Sequence, residues 1–398
     1  MSSSRSRPLA GRRIWIAGIG GAGMSAYALL AHAWGAEVSG WDRIETPYLA
    51  HLAGIEVTIS ETPPPPPPDA EVYLSTAFAG RVAGRPRADL LAELVSLRRS
   101  IVVAGAHGKT TTSAMIAFCL DRLGLDPAFL IGGEIAQLGG NAAAGEGWLV
   151  VEGDESDRSV AELRPEIAVL LNVDLDHHTT FGSRAEVQAL FEDWLSHVPL
   201  VVRGDALEPV ALELSVPGEH NRRNAAAALA ALELAGVARG EAERVLVGFR
   251  GAVRRLERRG ESGGVAVLDS YAHHPAELAA DLAAVSADHG RVLALFQPHL
   301  YSRTQHLARE FACALAAADA VCVTEVYAAR EEPLPGVSGR LIVDELACVR
   351  PGMQIGWAPS LEDASSLVVR WARAGDTVLT LGAGDVERAG PLILEALR

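Results

Sequence analysis

Short apolar runs alternate with longer amphipathic, alanine-rich stretches from one end of the chain to the other. That alternation predicts strands followed by crossover helices, and so parallel sheets of the α/β class rather than a bundle or a sandwich. The pattern begins with a strand over 13–17, a glycine turn over 18–23 and a helix to about Trp34, followed by a strand over 37–40 that ends at Asp42. The six consecutive prolines of 63–68 lack the backbone donors that a helix or a central strand needs. They form a stiff polyproline connection, or a ligand for a proline-binding domain, ahead of a strand over 71–75.

A fresh buried strand over 101–104 starts a second domain, whose loop 105–109 runs into a helix over 110–123. Further strands are expected over 148–151 and 167–172. The third domain is the most regular, with strands near 265–269, 291–296, 320–326, 354–357 and 376–381 separated by helical patterns. It reads as another doubly wound sheet. Three consecutive domains follow, 1–100, 101–249 and 250–398, which also suits 398 residues at 49% hydrophobic content, too long for one ordinary core.

Charge narrows the function. A net charge of -15 and a pI near 5.3 disfavour a nucleic-acid or membrane-surface partner, yet leave room for a local cationic phosphate site. The four cysteines form no Cys-x-x-Cys pair, so neither a zinc site nor a disulfide framework is indicated, and a reducing cytoplasm is expected. The apolar run after Arg13 breaks at Gly18, unlike a secretory signal, and no apolar stretch reaches the length of a membrane span.

The strongest local signal is the loop GAHGKTTT, between a buried strand and a helix. Glycines let backbone N–H groups turn around phosphate oxygens, the helix N-terminus adds positive potential, and Lys109 reaches the terminal phosphates. Gly105, His107, Gly108, Lys109, Thr110 and Thr111 are therefore the candidate ATP-binding loop, with the Thr110 hydroxyl offered to magnesium. Val103 stands where the strict P-loop pattern has its first glycine, and a structural lysine in a glycine turn is the competing reading. Glu152 and His177 follow predicted strands, where ligands meet α/β sheets, and each is placed to orient a magnesium ion; a capping acid and a plain loop histidine are the alternatives. Gly18, Gly20, Gly21, Ala22 and Gly23, with Asp42 downstream, form a pyrophosphate-binding turn that fits NAD or a UDP-sugar equally, the acid taking a ribose or nearby hydroxyl.

Asn221 and Asn224 sit one turn apart at a helix start, where their amides can read an adenine edge or cap the helix. Arg254 and Arg255 are placed to clamp a transferring phosphate, or simply carry surface charge. Tyr271 and His273 in DSYAHHP, and His299 and Arg303 in QPHLYSR, follow strands of one sheet and converge on its edge.

Taken in order, GIGGAGMS, GAHGKTTT, EGDESD, NVDLDHH, PGEHNRRNA, GFRGAVRR, DSYAHHPAE, QPHLYSR, EVYAAREEP and LGAGD make the chain resemble, nearly end to end, the Mur ligases of bacterial peptidoglycan synthesis. The resemblance is closest to the alanine-adding branch. It implies a Rossmann-like UDP-sugar domain, a central P-loop ATPase-type domain and a C-terminal Rossmann-like amino-acid-binding domain. It further implies a cytoplasmic monomer or homodimer that uses ATP and Mg2+ to join L-alanine to the lactyl carboxylate of UDP-N-acetylmuramate through an acyl phosphate. Under it Lys109, His177 and Arg254 are catalytic, Thr110, Glu152 and His177 hold metal, and Asn221, Asn224, Arg254 and Ser270 join the loop in binding ATP. Tyr271, His273, His299 and Arg303 take the amino acid.

Three departures stand out. Ser270 occupies a position where the family usually has aspartate beside the nucleotide. Leu300 replaces an arginine of the family's PHRYSR block, with Arg330 of YAARE either the substitute cation or a solvated loop arginine. The central domain is short between His177 and His220. These leave open a related ligase with a peptide-recycling acceptor and a divergent, non-catalytic paralogue.

Overall fold

The computed structural model describes residues 7–175, 180–288, 290–329 and 331–398. Among these residues the chain forms three sheets. The first contains β1 (Arg13–Ala17), β2 (Glu37–Asp42), β3 (Glu56–Ile59), β4 (Glu71–Leu74) and β5 (Arg85–Pro86), in the order β3-β2-β1-β4-β5, all parallel. This is the doubly wound order, in which the chain reverses direction beside the central strand and opens a crevice at the strand ends. Helix α1 (Ala22–Ala33) crosses from β1 to β2, and α2 (Arg87–Ser96) leaves the last strand.

The second sheet holds β6 (Ser100–Ala104), β7 (Ala128–Ile135), β8 (Gly140–Ala143), β9 (Leu149–Glu152), β10 (Ile167–Leu170) and β11 (Leu200–Arg203). Its order is β11-β10-β6-β9-β7-β8, parallel except for the β7–β8 hairpin. All five residues of β6 are buried, because α3 (Lys109–Arg122) and its neighbours cover the sheet; Thr110 to Leu120 of α3 are buried too. Helices α4 (Arg184–Ser196), α5 (Glu219–Leu234) and α6 (Arg239–Leu246) complete this part, and α1 of the first sheet packs on β7 and β8.

The third sheet runs β12-β13-β17-β14-β15-β16, with β12 (Glu257–Ser262) antiparallel and β13 (Val265–Ser270), β14 (Val292–Phe296), β15 (Ala320–Val323), β16 (Gln354–Trp357) and β17 (Thr377–Leu381) parallel. Both faces are covered. Val292, Ala294 and Phe296 of β14 face one core with Phe311 and Ile342, while Leu293 and Leu295 face the other with Leu361 and Val368. A strand buried on both faces reads as an unbroken apolar run, which is why this domain was so legible. Its helices are α7 (Pro275–Asp288), α8 (Tyr301–Leu315), α9 (Arg340–Val349), α10 (Leu361–Trp371) and α11 (Ala389–Ala396).

The chain divides into two compact units. One holds the first two sheets; the other holds the third sheet and also takes in Leu214–Arg222. A Cβ on Gly218 would meet Ala284 of α7 at 3.2 Å, so this upstream segment is packed within the C-terminal unit. The strands expected over 167–172 and 320–326 stop at Leu170 and Val323. The apolar residues beyond them are buried in loops rather than in ladders. Cys119 and Cys322 are buried, and burial pushes both thiols up to about 12; Cys313 on α8 and Cys348 on α9 are exposed. Among the described residues no helix is long and apolar enough to cross a membrane.

Candidate active site

The loop between β6 and α3 is shaped by two glycines in the left-handed region, Gly105 at φ +130° and Gly108 at φ +86°. A Cβ on Gly108 would stand 2.4 Å from Asn224 Oδ1, and one on Gly105 would stand 2.9 Å from the Asn172 carbonyl oxygen, so larger residues are excluded twice, by conformation and by space. Asn172, just past β10, clamps the loop reciprocally: His107 N–H donates to Asn172 Oδ1 and Asn172 Nδ2 donates back to the His107 carbonyl, both at 2.9 Å. His107 Nε2 lies 3.7 Å from Asp174.

Lys109 begins α3 and folds back over the loop. Its ammonium donates to the Gly105 carbonyl at 2.7 Å and lies 3.1 Å from both oxygens of Glu155, itself only 4% exposed at its side chain. Burial works against the charge, but the carboxylates of Glu155, Glu152 and Asp154 outweigh it and hold the lysine above its ordinary pKa. The charged form is thus fixed before any phosphate arrives. At the next residue, the Thr110 hydroxyl donates to Glu152, 3.0 Å from Oε2, which also accepts Gly132 N–H at 2.8 Å. A hydroxyl and a carboxylate meeting at that distance form a hard-oxygen pair of the kind magnesium uses, and a glycine cradle with no room for a Cβ suits phosphate; the residues fit both groups.

The glycine turn of the first sheet is braced by Asp42. Asp42 is buried, and its oxygens accept Gly20 N–H at 2.8 Å and Arg43 N–H at 2.7 Å. Its carboxylate shapes the turn, one N–H on each oxygen. Thr46 Oγ1 donates to the Gly20 carbonyl at 2.6 Å and braces the same turn. Beyond the turn lies a cavity of about 290 Å³ whose lining includes Ala22 and Gly23 of α1, Arg87 of α2, and Lys109, Glu152 and Asp154. Arg87 spans two acids there, 3.0 Å from Asp154 and 2.8 Å from Asp157. The start of α1 and the lysine loop thus open on one space.

In the C-terminal unit a wall of rings follows β13 and β14. His273 sits edge-on to Tyr271 at 5.4 Å and to His299 at 5.6 Å, and His299 stacks on Tyr327 at 5.9 Å. Arg303 is buried, with NH1 3.2 Å from His299 Nδ1. Leu300 opens α8 at φ +71°, an unfavourable conformation for a non-glycine residue. The Arg254 guanidinium donates to Asp269 at 2.8 Å, to the Gly384 carbonyl at 3.0 Å and to the Gly382 carbonyl at 2.7 Å, and pairs with Glu387, so most of its donors hold β13 to the loop after β17. Arg255 makes one looser pair, 3.6 Å from Glu277, and keeps donors for an anion. Asn221 Nδ2 donates to the Pro217 carbonyl at 2.6 Å, and Ser270 is fully buried. His177 and Arg330 lie outside the described residues.

Sequence reasoning missed Asn172, Arg87 and Tyr327 and left Glu155 among capping and network residues. Three of these carried a signal, Glu155 inside EGDESD, Asn172 at the head of NVDLDHH and Tyr327 inside EVYAAREEP, and Arg87 carried none.

Family models match three consecutive stretches: the Mur ligase family catalytic domain over 13–99, the Mur ligase middle domain over 103–206, and the Mur ligase glutamate ligase domain over 254–384. A UDP-N-acetylmuramate-L-alanine ligase of Streptomyces coelicolor is 40% identical, with 98% of each chain covered. One of Rubrobacter xylanophilus is 38% identical, covering 97% of this chain and 100% of the relative. The crystal structure of UDP-N-acetylmuramate-alanine ligase from Thermotoga maritima superposes with a TM-score of 0.78 at 27% identity, covering 96% of this chain and 98% of that one. The Streptomyces match spans 457 positions against the 398 residues here, so this chain lacks internal segments that the relative carries.

Proposed function

Because the chain belongs to the Mur ligase family, we propose that it is an ATP-dependent ligase that joins L-alanine to the lactyl carboxylate of UDP-N-acetylmuramate. The observation that carries this reading is the shared cavity: the start of α1, which follows the pyrophosphate-type turn, and the lysine loop line one space. A sugar nucleotide held by its diphosphate at that turn would extend toward Lys109.

A carboxylate anion does not accept an amine until one of its oxygens becomes a leaving group. Attack of the lactyl oxygen on the γ-phosphorus of ATP expels ADP and gives an acyl phosphate. The alanine amine then attacks the acyl carbon, inorganic phosphate leaves, and the amine loses a proton. Lys109, already charged, exchanges Glu155 and the Gly105 carbonyl for phosphate oxygens. Thr110 and Glu152 would hold a magnesium ion, which neutralises charge where two anions must meet. A metal role for His177 rests on the resemblance alone. Arg255 replaces Arg254 as the arginine offered to phosphate, and Tyr271, His273, His299 and Arg303 surround the amino acid.

The test is phosphate release from ATP with UDP-N-acetylmuramate and a panel of acceptors. Release that requires both the sugar nucleotide and L-alanine is expected. Release only with a preformed peptide would reassign the chain to the recycling type, and no release with any acceptor would mark a paralogue that has lost turnover.

A further inference from the structure

Asp281, in the middle of α7, belongs to none of the motifs above. It is buried, and a buried carboxylate carries a desolvation cost that a fixed cation normally offsets. Among the described residues no lysine or arginine forms an ion pair with it, although Arg255 lies near enough to favour its charged form. The Ser270 hydroxyl donates to Asp281 Oδ2 in a short hydrogen bond, while Ser270 Oγ accepts Ala272 N–H at 3.1 Å. The other oxygen faces His220 Nε2 at 3.8 Å, beyond hydrogen-bonding distance. Burial, with Arg255 nearby, lowers the His220 pKa to about 4, so the imidazole is neutral at pH 7 and does not balance the acid. Arg255 itself pairs with Glu277.

The location gives this cost a purpose. Ser270 is the last residue of β13, at the carboxyl edge where doubly wound sheets bind ligands, and the segment carrying His220 also carries Asn221. The Asp281 side chain keeps 12% exposure and stands one hydrogen bond behind Ser270 at that edge. A carboxylate only accepts hydrogen bonds, and its natural partners in such an edge are the hydroxyls of a nucleoside ribose.

We propose that Asp281, presented through Ser270, is the acidic group with which the C-terminal unit recognises the nucleotide. The inference rests on the ligase reading above and accounts for Ser270: the carboxylate comes from α7 instead of from the end of β13. It makes Asp281 and Ser270 exchangeable as a pair.

The experiment compares wild type, Asp281→Asn, and the exchange variant carrying Ser270→Asp with Asp281→Ser. In phosphate-release assays, Asp281→Asn should raise the KM for ATP about tenfold, the scale of a lost charge-assisted hydrogen bond, and leave the KM for UDP-N-acetylmuramate within about twofold. The exchange variant should return the ATP KM to within about threefold of wild type. A merely structural role would lower the melting temperature of Asp281→Asn without separating the two KM values. An unchanged ATP KM in Asp281→Asn, or a folded exchange variant with no recovery, overturns the proposal. Should Asp281→Asn not fold, the exchange variant decides alone. Binding of a fluorescent ADP to the same proteins separates the two layers: a wild type that binds ADP but forms no amide defeats the ligase reading, while the difference in ADP affinity still tests Asp281.

Discussion

Lys109 shows how much a single side chain reveals before any ligand is present. Its ammonium is held by Glu155 and a loop carbonyl, so the charge proposed to meet phosphate is already desolvated and oriented. Lys109→Ala should therefore lower kcat more than tenfold, a loss above about 1.4 kcal/mol, while binding of UDP-N-acetylmuramate measured by calorimetry stays near wild type. A variant retaining a tenth of wild-type turnover would remove the lysine from the phosphate step. His220 and Asp281 make a second case, in which two shifts oppose each other. Burial takes His220 from 6.5 to about 4 and Asp281 from 3.8 up to about 6, with Arg255 and Glu277 as the charged neighbours of both. On acidification the unfolded chain protonates His220 first, which costs stability from pH 6.5 down through 4. Over nearly the same window the folded state protonates Asp281 first, which returns it. The two nearly cancel in the wild type. Asp281→Asn leaves the histidine alone, so its melting temperature should fall more than that of wild type between about pH 7 and pH 5, and His220→Gln should shift the opposite way. Parallel pH dependence in all three proteins would refute the pairing. Such details are invisible in the sequence: adjacent Arg254 and Arg255 look equivalent there, and only the fold shows that one is spent on Asp269.

Elements were legible where burial left an unbroken apolar run. The central strands β1, β6, β13 and β14 announce themselves because both faces are covered, whereas β3 and β12 sit at sheet edges, carry polar residues such as those of ERRGES, and have no apolar run to read. The β7 strand is broken in sequence by Gly132 and Gly133, and Glu152 Oε2 takes up the N–H of the first. The lysine loop was recognisable as a strand–glycine–helix unit, but what fixes its shape lies across the sheet. Asn172 offers one acceptor and one donor to His107, and nothing local marks it as a clamp. Asn172→Ala removes both bonds and should cost about 1 to 2 kcal/mol of stability in denaturant titration, with an ATP KM raised several-fold. If stability falls while the ATP KM is unmoved, the loop holds its shape without the clamp.

At the scale of the molecule, the order of motifs along the chain gave the family and the three-sheet plan, while the interleaving of Leu214–Arg222 with the C-terminal unit had no sequence signal, since it depends on contacts with α7. The chain is also shorter than the Streptomyces relative, and the deletions leave all three sheets in place. One feature of the thiols has a practical side. Cys119 and Cys322 are sealed in cores, whereas Cys313 and Cys348 stand exposed on the adjacent helices α8 and α9. A maleimide reagent should add two labels to the folded protein and four after denaturation, read by intact mass, with ligase activity retained. More than two adducts on the folded chain would mean that a core opens on the labelling timescale. The natural sequence therefore carries its own pair of attachment points for spin labels or dyes, one on each of two packed helices, without engineering a single residue.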